Sequence, residues 1–145
     1  MKAVLQRVIS ANVVVDDEII GEIGNGILLL LGVSQTDTKD HVEKLIDKIT
    51  KMRIFSDDQG KTNLSITDIA GELLVVSQFT LYADTRKGNR PSFIESAGAE
   101  HAKELYEYCI KYSQNKFSKV SQGRFGAKMQ VNLINDGPFT IVLDV

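Results

Sequence analysis

The chain has no tryptophan, one cysteine, two prolines and two histidines in 145 residues. A single cysteine, Cys109, excludes an internal disulfide and fits a reducing compartment. No Cys-x-x-Cys, His-Glu-x-x-His or comparable ligand spacing occurs, so neither a metal site nor a cofactor is expected. Gly-x-Ser-x-Gly is missing, which removes a nucleophile elbow. Gly24-Asn25-Gly26 is not continued into a phosphate-binding motif. The longest apolar run, Ile27 to Leu31, falls far short of the roughly 18 residues that span a bilayer, and reads as a buried strand. Gln6 and Arg7 stand where a secretion signal needs its apolar core, so a cytoplasmic protein without a membrane partner is expected. Lys and Arg number 17 against 19 Asp and Glu, a net charge of −2. That balance argues against DNA binding and against any wide grip on nucleic acid, which needs clustered cations. It leaves room for a small, local contact with the end of an RNA.

What is present is an ordinary globular composition, 43% hydrophobic and 25% charged. The length suits one domain over residues 1–145, with no repeat or linker. Residues 1–9 and 12–23 read as strands, with Asp16-Asp17-Glu18 as a hairpin turn, and Ile27 to Val33 as a strand covered on both faces. Val42, Leu45, Ile46, Ile49 and Met52 recur at helical spacing and predict a helix over 38–53. Turns at 57–60 and 68–71 lead to a strand from Glu72 to Phe79, then an irregular stretch over 82–93. A second helix is predicted over about 98–116, with Ala102, Leu105, Tyr106, Cys109 and Tyr112 on one side. Strands follow at Lys119 to Phe125, Lys128 to Ile134 and Phe139 to Val145, the last two separated by the turn Asn135-Asp136-Gly137-Pro138. The order predicts an α+β (mixed α/β) domain, with antiparallel and mixed sheet closing toward a barrel around two main helices.

His41 and His101 fall in polar stretches at helix starts and read as surface residues. Cys109 reads as a buried structural thiol. Chemistry concentrates elsewhere. Ser77-Gln78-Phe79-Thr80 ends an apolar strand, where hydroxyls and free N–H groups suit oxyanion stabilisation; the alternative is plain decoration of a strand edge. Gly137-Pro138 is either an ordinary trans turn or a cis bond that turns two carbonyl oxygens to one side.

Several segments, in order and spanning essentially the whole chain, resemble the D-aminoacyl-tRNA deacylase family. They are Ser77-Gln78-Phe79-Thr80-Leu81-Tyr82, Lys87-Gly88-Asn89-Arg90-Pro91-Ser92-Phe93, Gly123-Arg124-Phe125-Gly126-Ala127-Lys128-Met129 and Asn135-Asp136-Gly137-Pro138. Met1 to Val8 and Lys51-Met52-Arg53-Ile54-Phe55 also fit. Two positions depart from the family pattern, Phe139 for a small branched residue and Ala99 for a frequent proline. Phe139 is expected to narrow or reshape the pocket mouth.

The resemblance implies a homodimer with sites at the subunit interface. Each Gly137-Pro138, in cis, would reach into the partner's pocket beside Ser77, Gln78, Phe79, Thr80 and Met129, with Phe125 and Ala102 lining the same region. The substrate would be the ester between a D-amino acid and the 3′ end of a transfer RNA, and glycine mischarged on that RNA would also be cleaved. Backbone N–H groups near Gln78 and Phe79 would bind the carbonyl oxygen. No base is visible beside Thr80 in sequence, so it reads as a positioning residue, with a nucleophile as the alternative. The resemblance further implies that the RNA's own ribose hydroxyl helps activate water. Lys87, Arg90, Arg124 and Lys128 lie near the motifs and read equally as RNA contacts or as solvated surface.

Overall fold

The computed structural model describes every residue from Met1 to Val145. Its elements in chain order are β1 (Lys2–Val15), β2 (Glu18–Ile23), β3 (Gly26–Gly32), α1 (Lys39–Lys51), β4 (Arg53–Ser56), β5 (Thr62–Ser65), β6 (Glu72–Ser77), a 3-10 turn (Phe79–Tyr82), α2 (Ala99–Ser113), β7 (Val120–Gln122) and β8 (Gln130–Asp144). β1 organises the sheet. One edge pairs antiparallel with β3 through Lys2–Val8 and with β2 through Ala11–Val15, while the other edge carries β8. β3 continues in parallel to β6, and β6 to β7. The sheet curls until β7 returns to β2, where Ser121 Oγ donates to the Glu22 carbonyl at 2.8 Å. β4 and β5 form a separate ribbon. The expected α+β architecture with a nearly closed sheet is present.

The apolar runs explain the layering. β3 and β6 are buried on both faces, as parallel neighbours in a sheet usually are. Leu29, Leu31, Leu73 and Val75 face the helices and join Leu45, Ile46, Ile49, Leu105 and Cys109 in the larger core. Leu28, Leu74 and Val76 face the other way, onto Val8, Val13 and Ile23 inside the curl. Gly26 is required where β3 meets β6, because a Cβ there would stand 1.9 Å from the Glu72 carbonyl oxygen.

The predicted helices shorten to Lys39–Lys51 and Ala99–Ser113. His41 has a defined job: its Nδ1 accepts the Thr38 N–H at 3.1 Å and caps α1. His101 Nε2 donates to the Asp37 carbonyl at 2.9 Å. Three expectations are corrected. The first two predicted strands have no break at Ser10-Ala11, because β1 is one strand to Val15. The strand expected to reach Phe79 ends at Ser77. The strands expected on either side of Asn135–Pro138 are one strand, β8, which pairs with β1 on both sides of residues 136–139. Between the pairs Gln6↔Thr140 and Val8↔Asn135, the single residue Arg7 faces Asp136, Gly137, Pro138 and Phe139. Those residues therefore loop out of a continuous ladder as a wide bulge. The Gly137-Pro138 bond is cis.

Candidate active site

A cavity of about 570 Å³ opens between the ends of β3 and β6, the start of α2 and the 123–129 loop. Of the residues singled out in the sequence, it gathers Ser77, Gln78, Phe79, Ala102, Phe125 and Met129. Thr80 and Gly137-Pro138 do not line it. Thr80 is exposed in the 3-10 turn, and its Oγ1 accepts from the Gln78 side-chain amide. Gly137 and Pro138 are exposed on the β8 bulge.

The strand-to-turn switch decides which backbone donors are free. Gln78 N–H is committed to the Leu31 carbonyl at 2.7 Å, and Leu81 N–H to the Gln78 carbonyl at 3.3 Å. The N–H groups of Phe79 and Thr80, the first of the 3-10 turn, have no acceptor within the chain. The donors expected near Gln78 and Phe79 are thus narrowed to Phe79 and Thr80. Two adjacent free N–H groups beside an apolar cavity can stabilise an oxyanion.

Most of the remaining lining is apolar. Its one ionisable side chain is Tyr106, which is 3% exposed. The Tyr106 hydroxyl lies 2.9 Å from the Val75 carbonyl and 3.0 Å from that of Gly123, so its single proton serves one or the other. Burial pushes this phenol well above its ordinary pKa. Tyr106 therefore ties β6 to the 123–129 loop, and its ring lies 5.7 Å from that of Phe125. Gly123 belongs to the same joint, since a Cβ there would come within 2.6 Å of the Met129 sulfur. Phe93 completes the mouth against Phe79, edge to face at 5.0 Å. Sequence reading placed Tyr106 only on a core-facing helix side and left Phe93 without a role. Both enter through long-range packing that no local spacing reports.

The β8 bulge is anchored from below by Arg7, which is 8% exposed. Arg7 Nε donates to the Asp136 carbonyl at 2.9 Å and lies 3.1 Å from its carboxylate, while Nη1 donates to the Ile54 carbonyl at 2.6 Å. The Phe139 ring covers the guanidinium at 4.6 Å, and its N–H donates to Asn135 Oδ1 at 2.7 Å. Phe139 packs on the larger core and does not line its own chain's cavity. A flat aromatic ring over a buried cation is the physical reason.

The match to known proteins covers almost the whole chain. The family model described as D-Tyr-tRNA(Tyr) deacylase matches residues 4–144. A protein of Thermosipho melanesiensis named D-aminoacyl-tRNA deacylase is 54% identical, with 99% of this chain and 97% of that one covered. One of Lactobacillus gasseri with the same name is also 54% identical, with both chains fully covered. A solved structure titled "c-Myc DNA Unwinding Element Binding Protein" superposes with a TM-score of 0.94 at 42% identity, covering 100% of this chain and 99% of that one. Another, titled as a probable eukaryotic D-amino acid tRNA deacylase, reaches 0.83 at 16% identity over 99% of this chain and 98% of that one, and shares the fold. With the cavity, the free N–H pair and these matches together, the chain belongs to the D-Tyr-tRNA(Tyr) deacylase family, whose named members are hydrolases of an ester bond.

Proposed function

We propose that this chain is an editing enzyme of the cytoplasm that hydrolyses D-aminoacyl-tRNA and refuses the L form. The observation that carries the reading is the free N–H pair of Phe79 and Thr80 beside the apolar cavity. Water attacks the ester carbonyl carbon, and the two N–H groups receive the charge that develops on its oxygen. The bond to the ribose oxygen then breaks, that oxygen takes a proton, and free amino acid and tRNA leave. A well-placed oxyanion donor contributes about 3–4 kcal/mol to such a step.

No carboxylate, imidazole, amine or thiol lines the cavity. That composition favours activation of water by the neighbouring ribose hydroxyl of the RNA, with Thr80 as a positioning residue. A nucleophilic Thr80 needs an adjacent base, and its only side-chain partner is the Gln78 amide.

Chirality is read by exclusion. In a homodimer, the partner's Gly137-Pro138 bulge forms the missing wall of the cavity. It clashes with the side chain of an L-amino acid while admitting the hydrogen of a D-amino acid. Glycine has no side chain to clash and passes as substrate. Support for the dimer comes from β8, whose edge away from β1 pairs with no strand. Exposed apolar groups lie along this part of the sheet: Ile9 at 56%, Ile134 at 57% and Val142 at 73%. Long exposed strand edges with apolar side chains are templates for association.

The test follows ester loss from D-tyrosyl, L-tyrosyl and glycyl tRNA with purified protein. Hydrolysis of the D and glycyl esters with the L ester spared is the expected result. Equal rates on both tyrosyl esters, or none on either, would refute the reading.

A further inference from the structure

Two short cationic loops flank the cavity. The first spans 85–91 and is closed at its base by paired backbone bonds, Asp84 N–H to the Ser92 carbonyl at 2.8 Å and Ser92 N–H to the Asp84 carbonyl at 2.9 Å. Phe93, just past that base, is cavity wall. The loop carries Arg86, Lys87 and Arg90 and no acid. The second spans 124–128, carries Arg124 and Lys128 and no acid, and lines the cavity with Gly126 and Ala127. Five of the 17 Lys and Arg of a chain with net charge −2 thus sit in two loops rooted at the cavity.

These five cations are not equivalent. Arg86 is held in a two-pronged pair by Asp84, with both contacts at 2.8 Å. Arg124 reaches Asp16 at 3.6 Å. Lys87, Arg90 and Lys128 are exposed and make no ion pair or hydrogen bond with any side chain. They are free to bind an anion without breaking an internal contact.

We propose that Lys87, Arg90 and Lys128 hold the backbone phosphates of the tRNA acceptor end next to the terminal nucleotide. The proposal rests on the deacylase reading for the identity of the RNA. An ester seated in a cavity of about 570 Å³ places only the terminal residue inside, so the following phosphodiesters must run over its margin. Unpaired lysine and arginine side chains there neutralise phosphate and release counterions. Contacts of this kind position the strand without reading bases, which suits an enzyme that must accept any tRNA bearing the wrong amino acid. The binding is local, consistent with a chain whose overall charge is slightly negative.

The experiment measures binding of fluorescently labelled, uncharged tRNA across a salt series for wild type, for Lys87→Ala/Arg90→Ala, and for Lys44→Ala/Lys48→Ala on α1, which lies outside the cavity lining. Loss of the loop cations is expected to weaken binding about tenfold. The slope of log affinity against log salt should flatten by about 1.5, near 0.7–0.9 per phosphate contact, with the α1 variant following wild type. A loop variant indistinguishable from wild type, an equal loss in the α1 variant, or duplex DNA competing as well as tRNA would overturn the proposal. Hydrolysis of D-tyrosyl-tRNA is assayed separately. A protein that binds through the loops but cleaves nothing keeps the grip and loses the deacylase reading.

Discussion

Thr80 is the residue on which the chemistry divides. Its hydroxyl accepts from Gln78, and no acid, imidazole or amine belongs to the cavity. Thr80→Ala is therefore expected to keep kcat/KM for D-tyrosyl-tRNA within about tenfold of wild type, or about 1.4 kcal/mol of transition-state stabilisation. Loss by a factor on the order of 10⁴ or more with an unchanged circular dichroism spectrum would make it the nucleophile. Asp84 offers a second test at this scale. The hydrogen bond from Arg86 holds its carboxyl down to about 2, below the roughly 3.9 of an unfolded chain. A depressed carboxylate stabilises the fold above its unfolded value, and the benefit is lost as pH falls through the folded one. The 85–91 loop should accordingly stay closed at neutral pH and loosen between about pH 4 and pH 2. The Asp84 carboxyl resonance, followed by NMR, should titrate near 2. A midpoint near 3.9 would mean that the pair with Arg86 does not form in solution.

At the scale of elements, the tightest constraint is the parallel contact of β3 with β6. Gly26→Ala pushes a methyl group to within 1.9 Å of the Glu72 carbonyl oxygen and 2.7 Å of that residue's carbonyl carbon and amide nitrogen. All three are backbone atoms, so the strands must separate. We expect a loss of roughly 1–3 kcal/mol or more and a drop in Tm of several degrees; an unchanged melting curve would refute the contact. Elements of this kind were readable in advance where local pattern and burial agree. The 3.6-residue spacing of Val42, Leu45, Ile46 and Ile49 marked the buried face of α1, and Ile27 to Leu31 read as a strand with no solvent face. β8 was not readable, because Asn135-Asp136-Gly137-Pro138 has the composition of a turn and only pairing with β1, more than a hundred residues away in sequence, makes one strand of it. The same limit hid which N–H groups are free at the candidate site. Gln78 donates to Leu31, and nothing local to residues 77–80 announces that partner.

For the whole molecule, the proposed function requires two copies to meet, because it takes the chirality filter from the partner. Ile134 is 57% exposed on the β8 strand, opposite Ser10 of β1. Ile134→Asp should convert a dimer to a monomer on size exclusion, leave the circular dichroism spectrum intact, and abolish selective ester hydrolysis together with the dimer. A monomeric variant that still discriminates D from L esters would show that each chain carries its own filter.

The bulge on β8 has an engineering meaning. Four residues hang above Arg7 from a ladder that is hydrogen-bonded on both sides of them. In effect they are a cartridge clipped into a finished frame. Cutting Asp136–Phe139 back to a single residue restores one-to-one pairing opposite Arg7, and every other rung stays in register. Arg7, buried beneath the loop and held by Asp136 and Phe139, must be replaced by an apolar residue in the same step. With that paired change the barrel should assemble without the loop, and on the proposed function folding and stereochemical discrimination become separable modules in one small chain.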